Sequence, residues 1–274
     1  MNHDQNPTSN RSDKDKKISY HLKLNILPIT ILLLFAIRTI TRNNDWESDI
    51  KLYSSAVRTL PLNPRNHHGV ATYYSHHRDR LDKAEEHFLK AIELYDKYGE
   101  SMNSLALLYE NTNRTEEALA MYRKAIIANP GLHRPFINLA GLLERASRSL
   151  LYKGRNNNTY NYNDVAYEYV VESEKVFVEA TRLPTVITDR RYNTLVRLGV
   201  LRLRLGKFIK AAEALKQAIA VKGVTDVTAL NILATMHIAA GRFDLGIEML
   251  NRVIDKSIKT AQHLKGNEIY NTAL

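Results

Sequence analysis

Met102-Asn103-Ser104-Leu105-Ala106-Leu107-Leu108-Tyr109, followed by Ala118-Leu119-Ala120-Met121-Tyr122-Arg123-Lys124-Ala125 and then Pro130, is the stretch that decides the fold. Counted from Met102, an apolar residue falls at +3 (Leu105), a small one at +4 (Ala106) and an aromatic at +7 (Tyr109). That spacing lines one face of a helix. A second helical stripe follows with Ala118 at +16, Tyr122 at +20, Ala125 at +23 and the proline at +28. Small residues at Ala106, Ala118 and Ala125 let two antiparallel backbones approach closely. Tyr109 and Tyr122 fill the space between neighbouring units, and Pro130 ends the second helix.

The unit repeats. His67, Val70, Ala71 and Tyr74 lead to Ala84, Phe88 and Ala91; Leu195, Leu198 and Gly199 lead to Ala211, Leu215 and Ala218; Leu230, Leu233, Ala234 and His237 lead to Gly246, Leu250 and Val253. The small residues Ala71, Ala106, Ala140, Gly199 and Ala234 are 35, 34, 59 and 35 apart. The long step holds a unit that starts at Phe136, Leu139, Ala140 and Leu143 and resumes at Phe177 and Ala180, about 21 residues late. The excess is read as an asparagine-rich inserted loop over 147–163. The unit resembles the tetratricopeptide repeat (TPR), which predicts an all-α TPR-type α-solenoid. On this reading 46–61 is half a repeat, 64–260 an array of about five units, and 261–274 a partial terminal helix.

The N-terminal end differs in character. Residues 1–17 read as a disordered basic tail, and 24–37 hold no charge. The stretch 18–40 is read as a single transmembrane helix with Lys23 snorkelling, although its uncharged run of 14 residues is short of the about 20 that span hydrocarbon. A signal sequence and a buried core helix are the competing readings. The basic residues Arg11, Lys14, Lys16, Lys17 and Lys23 precede the apolar core, and only Arg38 and Arg42 follow closely. The positive-inside rule then places the N-terminus in the cytosol and the repeats in a lumen. Two Asn-x-Ser/Thr sequons, at Asn113 and Asn157, fall in that lumenal part and are the expected N-glycosylation sites.

Other chemistry finds little support. The chain has no cysteine, hence no disulfide framework or thiolate chemistry. His67, His68, His76, His77 and His87 cluster, yet no neighbouring pair has the i, i+4 spacing of helical metal ligands, so they read as packing residues. No catalytic, cofactor or metal constellation stands out. A formal charge of +10 raises the question of nucleic acid, but no aromatic-interleaved or zinc-binding motif accompanies it. Arg190, Arg197 and Arg204 share a helix face, read as solvated, with a patch for phosphate or an acidic partner as the alternative. The face expected to be concave is lined by first helices, which makes Asn103, Asn138, Arg197 and Asn231 the candidate contacts for a protein partner or acceptor.

The junction Arg42-Asn43-Asn44-Asp45-Trp46, followed by Leu52-Tyr53-Ser54-Ser55-Ala56-Val57 and Pro61-Leu62-Asn63-Pro64, resembles that of the transmembrane and TPR repeat-containing (TMTC) family. There a last membrane helix passes directly into lumenal repeats. The resemblance implies an endoplasmic reticulum protein related to dolichyl-phosphate-mannose protein O-mannosyltransferases. It implies no catalytic residue here, because catalysis in that family belongs to a multi-spanning domain that this chain does not match. The chain is thus expected to be a membrane-anchored binding module, or a fragment of a larger enzyme. A cytosolic-facing scaffold with a simple anchor is the alternative.

Overall fold

The turns between paired helices explain why the repeats fold alike. At the end of the helix Gly99–Asn111, Asn113 takes a φ of 61°, and the Arg114 amide donates back to the Tyr109 carbonyl at 2.8 Å. Gly206 (φ 68°) and Gly241 (φ 74°) occupy the same place after two later helices, with Lys207 N–H reaching Arg202 O and Arg242 N–H reaching His237 O, each at 2.9 Å. Such left-handed caps satisfy the last carbonyls and turn the chain back within a few residues. An antiparallel partner must follow.

The computed structural model describes residues 28–157, 161–184, 188–222, 227–255 and 258. The chain forms two compact units, Met1–Leu94 and Tyr95–Leu274. In the first, α1 covers 28–45, α2 is Asp49–Thr59, α3 is Pro64–Ser75 and α4 is Leu81–Leu94, the last two joined through a 3-10 turn at Arg78–Arg80. Asp45 at the end of α1 accepts from the Ser55 hydroxyl of α2 at 2.7 Å. Asn66 of α3 donates to the Ala56 and Leu60 carbonyls at the end of α2, at 3.0 and 3.3 Å. Val70, Ala71, Ala84, Phe88 and Ala91 form the α3–α4 core.

In the second unit α5 is Gly99–Asn111, α6 Thr115–Ala128, α7 His133–Asn157, α8 Asn161–Arg182, α9 Thr188–Arg204, α10 Phe208–Lys222, α11 Val227–Ala239 and α12 residues 243–255. Successive helices pack as antiparallel pairs, as in a helical solenoid. The small residues of the repeat sit at the closest approaches: Ala106, Ala118, Ala125, Ala140, Ala180, Ala211 and Ala234 have no exposed surface. A Cβ on Gly199 would lie 2.8 Å from Leu215 Cγ. Among the described residues the fold is all-α.

One expectation needs correction. The stretch 147–163 is not a loop where it is described: α7 runs to Asn157, and α8 starts at Asn161. The buried faces explain why. Ala166, Val170, Ser173, Phe177 and Ala180 recur at alternating steps of four and three, a stripe that packs on α7 along its length. Two buried serines knit the pair, Ser147 Oγ donating to Ala166 O at 2.8 Å and Ser173 Oγ to Ala140 O at 3.0 Å.

Of the transmembrane helix expected over 18–40 the structure describes only 28–40, and among the described residues no helix is long and apolar enough to cross a membrane. The second half of α1 carries Arg38, Arg42 and Asp45. Residues 18–27 of the expected span lie outside the described residues, as do the basic tail 1–17 and the partial helix 261–274. The apolar side chains of α1, among them Ile29, Leu32, Leu34, Phe35 and Ile40, are nonetheless exposed.

Candidate protein-binding face

The four residues expected to line one face meet different fates. Asn103 of α5 is buried and accepts from Asn138 Nδ2 of α7 at 3.0 Å, so these two are joined across successive first helices. Asn231 of α11 is exposed and stands apart from them. Arg197 of α9 is half-buried, with its guanidinium 5.0 Å from the centre of the Phe177 ring. It passes over Gly141 of α7, where an added Cβ would lie 2.7 Å from Arg197 Nη2 and 3.4 Å from Arg145 Nη1. Only a glycine leaves that passage open.

Charge on this face is unevenly compensated. Arg145 pairs with Glu110, whose other oxygen accepts from the Tyr122 hydroxyl at 3.1 Å; burial, followed by Glu110, pushes that phenol's pKa up. The Arg197 side chain forms no hydrogen bond or ion pair among the described residues. Burial lowers its pKa, Glu144 opposes that effect, and Arg145 adds to it. A partly desolvated cation without a hydrogen-bonded counter-ion favours an incoming anion.

One turn beyond Arg197 on α9, at Leu201, a hollow of about 370 Å³ opens between α7, α8 and α9. Its apolar lining includes Leu151, Val170, Leu201 and Leu205, and its polar groups are Glu144, Arg148, Tyr167 and Arg204. Ser147, Leu151, Asn163 and their neighbours come from the inserted stretch, so the extended hairpin builds one wall of the hollow. Sequence reading missed the hollow; the heptad spacing of Arg197 and Arg204 was its one visible trace. A second hollow, of about 830 Å³, lies between α10 and α11, where His237 Nδ1 is buried without a hydrogen-bond partner among the described residues.

Asn113 is exposed in the α5–α6 turn, whereas the Asn157-Asn158-Thr159 sequon falls partly outside the described residues. In the first unit His67 and His87 meet at 3.0 Å between their Nδ1 atoms. His67 Nε2–H donates to the Pro61 carbonyl at 2.9 Å, so neutral His67 accepts through Nδ1 and His87 Nδ1–H donates. Among the described residues no group of three or more His, Cys, Asp or Glu is placed to hold a metal ion.

Models of the tetratricopeptide repeat match residues 64–126 and 196–259. The chain is 28 % identical over 204 residues to protein O-mannosyl-transferase TMTC3 of Mus musculus, covering 69 % of this chain and 19 % of that protein. It thus spans about a fifth of that relative's length. It is also 26 % identical over 138 residues to the photosystem I assembly protein Ycf3 of Synechococcus sp. (strain WH7803), covering 46 % of this chain and 73 % of that protein. Among solved structures, YrrB, described as a TPR protein with an unusual peptide-binding site, superposes with a TM-score of 0.53 at 15 % identity, covering 79 % of this chain and 97 % of YrrB. At that identity the likeness concerns the fold alone. The chain carries tetratricopeptide repeats, and over its repeat region it is weakly similar to the protein O-mannosyl-transferases.

Proposed function

We propose that the chain is a membrane-anchored TPR interaction module of the endoplasmic reticulum, related to the TMTC O-mannosyl-transferases, that presents its first-helix face to a protein partner or acceptor. The observation that supports the binding role is the bond from Asn138 of α7 to Asn103 of α5, with the Arg197 guanidinium of α9 lying over Gly141 of the same α7 without a hydrogen-bonded acceptor. The similarity to TMTC3 over 204 residues supports the relation. Anchoring rests on the exposed apolar side chains of α1 and the uncharged run 24–37, and a lumenal array on the basic excess before that run. Any mannosyl transfer would need catalytic groups from outside this chain.

Two measurements test the reading. A glycan on Asn113 of the expressed chain is expected; protease digestion of the repeats from the cytosolic side would remove the lumenal placement. A photo-crosslinking residue at Asn138 should capture a defined partner that the same residue at Lys175 of α8 does not. Equal capture from both positions refutes the first-helix face. A second reading, a scaffold for assembly facing the cytosol, draws on the similarity to Ycf3 and predicts an unglycosylated Asn113.

A further inference from the structure

We propose that Arg197 and the hollow between α7, α8 and α9 form a docking site for an acidic peptide segment, with a carboxylate on the guanidinium and the neighbouring apolar side chain in the hollow. The inference deepens the reading of the first-helix face as a protein-binding surface and rests on it. Three features, met along α9 between Arg197 and the lining residues Leu201 and Arg204, support it.

The first is the unequal treatment of two arginines that share Gly141. Arg145 already has Glu110, whereas Arg197 has an aromatic ring beneath it and no acceptor among the described residues. An arginine held over a ring keeps its planar fork fixed, which lessens the entropy lost when a carboxylate takes two of its N–H groups. The second is the rim. Arg148 and Arg204 are exposed and form no side-chain ion pair or hydrogen bond among the described residues, so the mouth is cationic in a chain of formal charge +10.

The third is the floor. Leu151, Val170 and Leu201 give the hollow an apolar lining, and Tyr167, 64 % exposed, offers a ring at its edge. A volume near the low end of ligand sites suits one large apolar side chain rather than a cofactor. Glu144 decides between anions. A carboxylate carries one negative charge past it, whereas a phosphate carries nearly two and is repelled more. A peptide that places glutamate or aspartate next to leucine or phenylalanine satisfies every element at once.

The test uses the full chain and a fluorescein-labelled octapeptide of sequence Ser-Glu-Leu-Glu-Phe-Glu-Leu-Ser, read by fluorescence anisotropy. The expected result is saturable binding that weakens about tenfold or more when glutamine replaces every glutamate, and by a similar factor in Arg197→Gln. Gly141→Ala, which keeps the arginine but displaces its guanidinium, should weaken binding comparably, and Arg197→Lys should restore part of it. Tyr167→Ser should weaken binding without changing its salt dependence. Thermal melts at the wild-type temperature show that each variant is folded. Equal affinity for the glutamine peptide, an unaffected Arg197→Gln, or no saturable binding below about 1 mM each overturns the site. If crosslinks from Asn138 still capture a partner in that event, the protein-binding reading stands without this site; if they fail too, both fall. A phosphoserine version that binds more tightly than the glutamate peptide would overturn the choice of carboxylate.

Discussion

Replacing Glu174 by glutamine removes a charge from the joint that holds α9 against α8, and its effect can be worked from the geometry. Glu174 Oε1 accepts from Arg202 Nε at 2.9 Å, and Oε2 accepts from Lys207 Nζ at 2.5 Å. Arg202 also donates to the Lys210 carbonyl at 3.0 Å, so one carboxylate ties α8 to the end of α9 and the start of α10. The side chains of Glu174 and Arg202 are 12 % and 15 % exposed, while Lys207 is 40 % exposed. Burial works against the ionised carboxyl, but the hydrogen bonds from Lys207 and Arg202 outweigh it and hold its pKa below the ordinary value. An amide keeps the shape, offers one acceptor oxygen, and turns two N–H donors toward a cation. Losing a fully buried pair costs about 3–5 kcal/mol. Discounting the exposed Lys207 half, about 2 kcal/mol is expected, or a fall of about 4–8 °C in melting temperature. The assay is urea and thermal unfolding by circular dichroism at pH 7 and again at low pH. Because the folded pKa is depressed, the contribution is complete above the unfolded value of about 4.3 and disappears as pH falls through the folded one. Wild type and Glu174→Gln should therefore converge in acid. A shift below about 1 °C at pH 7, or a gap that persists in acid, refutes the reasoning.

Three further outcomes follow from other parts of the molecule. Gly199→Ala should destabilise the second unit by up to about 2 kcal/mol, because Leu215 is fully buried and cannot retreat from the added methyl, a cost that exceeds the helix-propensity gain of about 1 kcal/mol; a rise in melting temperature would refute this. The imidazoles of His87 and His133 should titrate below the ordinary histidine value of about 6.5, mainly because of burial, with His67 adding to the effect on His87 and Arg190 to that on His133. Stability is then complete above about pH 6.5 and is lost as pH falls toward the folded midpoints, and an NMR titration midpoint at or above the ordinary value for either ring refutes the prediction. Ser173→Ala should cost about 1 kcal/mol for the lost bond to Ala140, whereas Ser173→Leu should cost more than twice as much by forcing α7 and α8 apart; equal melting temperatures for the two variants would refute the close approach.

What could be read in advance was whatever the chain encodes within one or two helical turns. Ala71, Ala106, Ala140 and Ala234 were picked out by spacing alone, and all four have no exposed surface. Backbone approach at a helix crossing requires small residues, and that requirement repeats with the repeat. Long-range relations left no such trace. Arg123 of α6 grips Glu172 of α8 through two bonds at 2.8 and 2.7 Å across 49 residues, and neither side chain advertises the other. Arg197 looked like a solvated arginine because its burial depends on Gly141 and Phe177, which come from two other helices. The asparagine run 156–158 has the composition of a loop, but the stripe Ala166, Val170, Ser173, Phe177 and Ala180 carries the structural information. Composition is a weaker guide than period when the two disagree.

The extended hairpin also bears on where binding specificity can reside. In a regular repeat nearly every large side chain has an assigned packing role, and the interior positions leave no room for change: Tyr122, Phe177 and Leu215 are fully buried. Freedom to differ remains on the outward faces and at irregularities. Lengthening α7 and α8 past the ordinary repeat puts Leu151 and Tyr167 beside the end of α9, so Leu201 and Arg204 face a wall that a 34-residue unit would not supply. The same extension leaves the core contacts unchanged, since Ala140 and Ala180 keep their buried places. The extension thus adds a hollow at a site whose cost to the fold is small. Shortening the hairpin should remove the hollow while sparing the repeats, and that separation of effects is what distinguishes a recognition wall from a structural one.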